Sequence, residues 1–115
     1  MTEPNPYQDW IATFQKETSE HPVFIYAKGE KGLAACGFSA RVMQIFENLG
    51  VDYQVRNILA DPVIRQALSS WTNWPTIPQV FVGGKFIGGA DIVTEMFQNG
   101  ELQETVESVT GSPRS

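Results

Sequence analysis

Apolar and polar positions along the chain change period several times, and each change marks an element. Tyr7, Trp10, Ile11 and Phe14 fall on one face of a helix, and the polar residues after them run to a break at His21 and Pro22. Val23 to Ala27, reading VFIYA, is short, apolar and rich in β-branched and aromatic residues, as a buried strand is. The polar stretch KGEKGLAA predicts a loop. From Phe38 onward Val42, Ile45, Phe46 and Leu49 recur at helical spacing until Gly50, so a second helix starts at the cysteine, Cys36. Tyr53 to Ile58 alternates as a second strand. Asp61 followed by Pro62 is an N-cap and first helical residue for a third helix running to about Trp71. TNWPTIP, with Pro75 and Pro78, cannot be helical. After it QVFV, the Gly83-Gly84 turn and KFIG predict a β-hairpin. Ile92, Val93, Met96 and Phe97 make a helical face that stops at Asn99 and Gly100, and Leu102, Val106 and Val109 predict a short last helix.

The resulting order is α-β-α-β-α-β-β-α-α. Two strands joined by a helical crossover must run parallel, whereas the closing hairpin is antiparallel. The expected fold class is therefore α/β, a thioredoxin-like sandwich with a small mixed four-stranded sheet flanked by helices. We read one domain over residues 1–115, with its core at about 7–109 and a frayed tail at 110–115. Met43 and Met96 lie on or beside apolar helical faces and read as packing residues, as do Trp71 and Trp74, although Trp74 is also placed to wall a groove. His21, the single histidine, reads as a surface residue at a helix–strand junction.

Composition narrows the function classes. The 115 residues are 42% hydrophobic and 11% aromatic, enough for a packed core. Eight Lys and Arg against thirteen Asp and Glu leave a net charge of −5 and no basic stripe for nucleic acid or anionic lipid. No apolar run approaches a membrane span, and the start MTEPNPYQDW lacks the basic flank and apolar stretch of a secretory signal. A lone Cys cannot close an internal disulfide, which suits a reducing compartment. The expectation is a soluble cytoplasmic protein, or an organellar one if a transit peptide has been removed.

Cys36 carries the candidate chemistry. A cysteine where a strand's loop meets a helix N-terminus has unpaired N–H groups and the positive end of the helix dipole beside its sulfur, and Lys28 at the mouth of the loop adds a charge. These favour the thiolate. From position alone, an activated thiol and an inert buried one stand equally open. The neighbouring residues break the tie. Cys36-Gly37-Phe38-Ser39, preceded by Lys28-Gly29 and followed by NWPTIPQVFVGGKFIGGADIV, resembles the monothiol glutaredoxin family from about Val23 to Leu102. The resemblance implies a thioredoxin fold, a cis bond before Pro78, a glutathione site, and a role in carrying or donating iron–sulfur clusters for cluster assembly and iron homeostasis. Strong reductase activity is not implied.

The residues independently favour that role. Ser39 stands where a dithiol enzyme would have its second cysteine, and a hydroxyl cannot resolve a mixed disulfide. A [2Fe–2S] cluster takes four thiolates, and each chain offers Cys36 alone; two chains plus two glutathione thiolates make four. Glutathione is an extended tripeptide with two carboxylates and one ammonium. The Ile77 backbone before Pro78 can pair with its cysteinyl residue as an added strand. By resemblance, Lys28 and Arg65 match positions that hold the glycyl carboxylate, Arg65 with a bidentate grip. Gly89, Ala90 and Asp91 open a helix whose N–H groups suit the γ-glutamyl carboxylate, and the Asp91 side chain suits its ammonium, with a plain N-cap as the alternative for Asp91. Thr76 offers a hydroxyl to ligand or backbone, and Phe38 belongs to the site as part of the cysteine motif. The Gly88-Gly89 pair is expected to let a ligand approach the backbone.

Three departures from the family pattern stand out. Ala90 replaces a second cysteine that many members carry, Ser69 replaces a common lysine, and the loop from Glu30 to Ala35 lacks a usual proline. The implied partners are glutathione, a second copy of the chain when cluster-bound, iron–sulfur acceptor apoproteins and a BolA-like protein. Two other readings stay open: a glutathione-dependent thiol transferase acting through Cys36, and a regulatory module paired with the BolA-like protein.

Overall fold

The computed structural model describes residues 5–110. The elements run α1 (Gln8–Glu20), β1 (Val23–Ala27), β2 (Gly29–Glu30), β3 (Leu33–Ala34), α2 (Gly37–Leu49), β4 (Gln54–Asn57), a 3-10 turn (Ile58–Ala60), α3 (Pro62–Thr72), β5 (Gln79–Val82), β6 (Lys85–Gly88), α4 (Ala90–Asn99) and α5 (Glu101–Thr110). The main sheet has the order β4-β1-β5-β6, with β1 parallel to β4 and antiparallel to β5, and β5 antiparallel to β6. This is the expected mixed four-stranded sheet. The expected frayed tail lies almost wholly outside the described residues.

Every residue of β1 is buried, which is why its sequence lacks polar alternation. Its side chains nonetheless divide by the period of two. Val23, Ile25 and Ala27 join Val80 and Val82 of β5 under α2, α4 and α5, where Val42, Phe46, Val93, Leu102 and Val106 complete one core. Phe24 and Tyr26 join Phe81 on the other face, under Phe14 of α1 and Ile64, Ala67 and Leu68 of α3. Trp71 lies nearly parallel to Phe81, ring centroids 5.2 Å apart, and so is a packing residue as read from the sequence. Met43 is buried and Met96 packs against the first core. His21 is half-buried, its ring 5.8 Å from that of Phe24.

An ionic clamp ties α1 to the edge strand β4. Glu17 accepts three hydrogen bonds from the Arg56 guanidinium, at 3.0, 2.9 and 2.6 Å, and a fourth from the Tyr26 hydroxyl at 3.2 Å. Arg56 also lies over the Trp10 ring, 5.6 Å from its centroid. Burial, and next the neighbouring Glu17 carboxylate, push the Tyr26 phenol far above its ordinary range, so it stays a donor.

Two boundaries differ from the sequence reading. The second strand is shorter, because the Tyr53 side chain turns into the core beside Phe46 and Ile58 opens the 3-10 turn. The stretch read as loop contains a small antiparallel hairpin, β2 with β3, in which Gly29 pairs with Ala34 and Glu30 with Leu33. Two-residue strands leave no periodicity to detect. The hairpin depends on Gly29, whose φ is +113°; a Cβ there would lie 2.5 Å from the Leu33 carbonyl oxygen and 2.7 Å from the Ala35 nitrogen. Gly29→Ala should therefore destabilise the fold by about 1–3 kcal/mol, measured by urea unfolding. A loss below a few tenths would show that the hairpin yields without cost.

Candidate functional site

The end of β1 delivers the chain to the reactive cysteine. Beyond Ala27 the backbone of Lys28 is gripped on both sides: its N–H donates to Ser39 Oγ at 3.1 Å and its carbonyl accepts from Ala35 N–H at 2.7 Å. The next N–H, of Gly29, donates to Asn57 Oδ1 at 3.0 Å, and Asn57 Nδ2 donates to the Glu30 carboxylate at 2.9 Å. The segment between β1 and α2 is thereby pinned to β4 on one side and to α2 on the other.

Cys36 is the N-cap of α2, with extended backbone and its sulfur accepting from Ser39 N–H at 3.5 Å. The Ser39 hydroxyl lies 3.4 Å from the same sulfur. Cys36 is a free cysteine, half-buried. Partial burial pushes its thiol pKa up, but the Ser39 hydroxyl, the N–H groups of Ser39 and Phe38, and the Lys28 charge outweigh it, and the pKa falls below the ordinary value. Phe38 stands 59% exposed two residues after the cysteine, a large apolar side chain left facing outward.

Beside the cysteine is a groove of about 490 Å³ lined by Lys28, Phe38, Arg65, Trp74, Thr76, Ile77, Pro78, Gly89, Ala90, Asp91 and Ile92. The fold thus brings to one groove nine of the ten residues singled out in the sequence; the tenth, Cys36, is not in the wall but begins the helix whose second residue, Phe38, is. Arg65 reaches in from α3, with Nη2 3.5 Å from the Pro75 carbonyl. The Ile77–Pro78 bond is cis, as the resemblance implied. Ala90 is the first residue of α4 and Asp91 the second; Gly89 occupies the cap position and no side chain caps the helix. Asp91 is therefore no N-cap. Its carboxylate is exposed and takes no hydrogen bond or ion pair among the described residues.

At Gly88 a Cβ would lie 2.8 Å from Ile92 Cβ, so the missing side chain makes room for Ile92 of α4. At Gly89 a Cβ would lie 3.2 Å from the Pro78 carbonyl oxygen and 3.3 Å from Trp74 Nε1, which keeps the groove wall thin. Trp74 serves both uses foreseen for it, lining the groove and packing edge-on against Phe86 with centroids 5.6 Å apart. Ser69 is not part of the lining.

Three contributors escape sequence reading. Asn57 anchors the cysteine segment; fully buried Gln79 donates through Nε2 to the carbonyls of Trp74 and Thr76 at 3.1 and 3.2 Å, holding the turn that lines the groove; Ile92 adds an apolar wall. An Asn ending a strand and a Gln before a hydrophobic run are ordinary in sequence. Only a polar residue at an inward position of β5 could have flagged Gln79.

The Glutaredoxin family model matches residues 23–87, which include the activated Cys36 and the groove cations Lys28 and Arg65. The chain belongs to the monothiol glutaredoxin family. It is 45% identical to an uncharacterized monothiol glutaredoxin (ycf64-like) of Synechocystis over 88% of this chain and 94% of that one. Among solved structures, the fold is similar to reduced poplar apo GrxS14, with TM-score 0.80, 40% identity, and coverage of 89% of this chain and 94% of that one. It is also similar to a buckwheat glutaredoxin–glutathione complex, with TM-score 0.83, 29% identity, and coverage of 93% and 97%. Among the described residues, no helix is long and apolar enough to cross a membrane.

The depressed thiol of this glutaredoxin is directly measurable. Thiolate absorbance of the reduced protein should titrate with a midpoint below the free-cysteine value of about 8.5. The native state releases this proton more readily than the unfolded chain, so folding stability should rise with pH between the native midpoint and the free value. A midpoint at or above the free value would show that burial dominates.

Proposed function

We propose that this chain binds glutathione in the groove beside Cys36 and, as two copies with two glutathiones, carries a [2Fe–2S] cluster as cargo for delivery to acceptor proteins in the cytoplasm. The observation that supports this most directly is a thiolate-favouring Cys36 with no second thiol in the chain, next to a groove of matching charge. Among the described residues no group of three or more His, Cys, Asp or Glu could hold a metal within one chain. A half-exposed thiolate at a helix start suits a ligand shared between molecules, and four thiolates are reached only by adding the second copy and two glutathione sulfurs.

In this reading Lys28 and Arg65 hold the glycyl carboxylate, the backbone of Ile77 pairs with the cysteinyl residue, and the N–H groups opening α4 receive the γ-glutamyl carboxylate. Thr76 and Trp74 close the wall. The Asp91 carboxylate, which caps nothing, pairs with the ammonium. Asp91→Asn should therefore leave stability almost unchanged while weakening glutathione binding by about 1.5–3 kcal/mol, read by calorimetry on the reduced protein. Unaltered affinity would remove Asp91 from the site.

The carrier reading itself is tested by anaerobic reconstitution followed by gel filtration, with iron, sulfide and glutathione assayed in the coloured peak. The expected species is a dimer containing two irons, two sulfides and two glutathiones, discharged when glutathione is removed and not formed by Cys36→Ser, which should remain folded because both cores lie away from the sulfur. A stable coloured species without glutathione, or one formed equally by Cys36→Ser, overturns the reading. The same favoured thiolate supports a second one, a glutathione-dependent thiol transferase in which Cys36 attacks a glutathione mixed disulfide and a second glutathione regenerates it. Turnover as fast as that of a dithiol glutaredoxin, with no cluster retained, would favour this alternative.

A further inference from the structure

Gln79 is the polar residue of β5, fully buried in one strand with Val80, Phe81 and Val82. Its place there is costly, because Oε1 has no hydrogen-bond partner among the described residues and a methionine would fill similar space with no orphaned oxygen. What Gln79 does form is a pair of bonds through Nε2, to the Trp74 carbonyl at 3.1 Å and the Thr76 carbonyl at 3.2 Å. An amide nitrogen has two hydrogens, so both are engaged. The two acceptors lie in a segment with little other support: among the described residues, none from Trp74 to Ile77 takes part in a backbone–backbone hydrogen bond, and Arg65 reaches the Pro75 carbonyl only at 3.5 Å. The bond to Thr76 also fixes a direction. The Thr76–Ile77 peptide is trans, and in a trans peptide the C=O and N–H point to opposite sides. A Thr76 carbonyl drawn onto Gln79 therefore turns the Ile77 N–H away from the interior of the turn, and that N–H has no backbone acceptor among the described residues.

We propose that Gln79 is a positioning residue for ligand binding: by holding the Thr76 carbonyl inward it aims the Ile77 N–H into the groove, where the backbone carbonyl of an extended peptide accepts from it. Gln79 is not itself part of the groove wall, whereas Trp74, Thr76 and Ile77 are. It acts through them. The orphaned Oε1 is then the cost of a rigid donor presented to something outside the chain, since a turn free to rotate that peptide would lose the aim and with it part of the binding free energy. For the identity of the ligand the proposal rests on the glutathione reading, in which the cysteinyl residue pairs with the Ile77 backbone.

The first measurement uses the reduced native protein without ligand, followed by hydrogen exchange in NMR spectra. The Gln79 Nε2 protons should exchange at least about tenfold more slowly than those of an exposed glutamine, while the Ile77 amide, facing an open groove, should exchange within about tenfold of an unprotected peptide group. Rapid exchange at Nε2, or a protected Ile77 amide, overturns the proposal. The second measurement is an NMR titration with glutathione, which Gln79→Met, similar in volume and lacking the donors, should bind about tenfold more weakly, the loss of one hydrogen bond. A misaimed N–H is separated from a generally looser wall by an analogue in which an ester replaces the cysteinyl–glycyl amide, because an ester carbonyl is the poorer acceptor. The analogue should cost the native protein at least about threefold more affinity than it costs Gln79→Met. Equal losses in the two proteins, or native glutathione affinity in a folded Gln79→Met, overturn the proposal. A native protein that binds no glutathione sinks the glutathione reading instead, and the ligand-free exchange rates then decide the positioning, as they do if Gln79→Met does not fold.

Discussion

A strand buried on both faces must be covered twice, and that constraint on β1 organises this molecule. With all five residues of Val23–Ala27 inaccessible to solvent, the sheet cannot present a wet face, so α1 and α3 close one side while α2, α4 and α5 close the other. The aromatic residues gather on the α1/α3 side, where Phe14, Tyr26, Trp71 and Phe81 contact one another edge-on or stacked. The other side is mostly aliphatic, with Phe46 and Tyr53 as its buried aromatic residues. Because β1 is central and rigid, its last residue is a fixed point from which the cysteine segment departs.

From that point the geometry at the sulfur follows from a few hydrogen bonds. Lys28 is held by Ser39 and Ala35, and Gly29 by Asn57, so the residue that brings positive charge to the thiolate is located by its own backbone. The sulfur receives its N–H partners because Cys36 caps α2, and α2 is placed by Val42, Met43, Ile45 and Phe46 in the core beneath. Electrostatic tuning of the thiol is in this sense paid for by hydrophobic burial some distance away.

The groove wall is less completely satisfied than the core. Trp74 Nε1 and Gln79 Oε1 are buried without a hydrogen-bond partner among the described residues, and both belong to the Trp74–Gln79 turn that carries Thr76, Ile77 and Pro78. Unmatched polar atoms are uncommon inside proteins and collect where a structure serves binding rather than stability. The free Asp91 carboxylate and the exposed Phe38 and Ile92 side chains belong to the same description of a surface shaped around something outside the chain.

Sequence alone determined most of the scaffold. The short apolar runs of β1 and β5, the helical faces led by Phe38 and Ile92, the Asp61-Pro62 helix start and the Gly83-Gly84 turn are all local signals, read from residues within a turn or two of each other. The candidate site was legible as a set of residues because the cysteine motif and the WPTIP and GGAD segments carry a family resemblance. Tertiary structure alone decided how these segments act on one another. Asn57, Gln79 and Ile92 gain their contacts from chain positions far away or from a turn with no repeat. The β2–β3 hairpin is too short to leave a period, and the room that Gly88 leaves for Ile92 shows only in the fold. The fate of Asp91 also needed the fold, since whether a carboxylate caps a helix turns on where the helix begins, and a two-residue shift of the cap to Gly89 leaves it free. Patterns along the chain record which residues are buried; they do not record which buried or polar atoms meet, because that depends on distances the folded sheet sets.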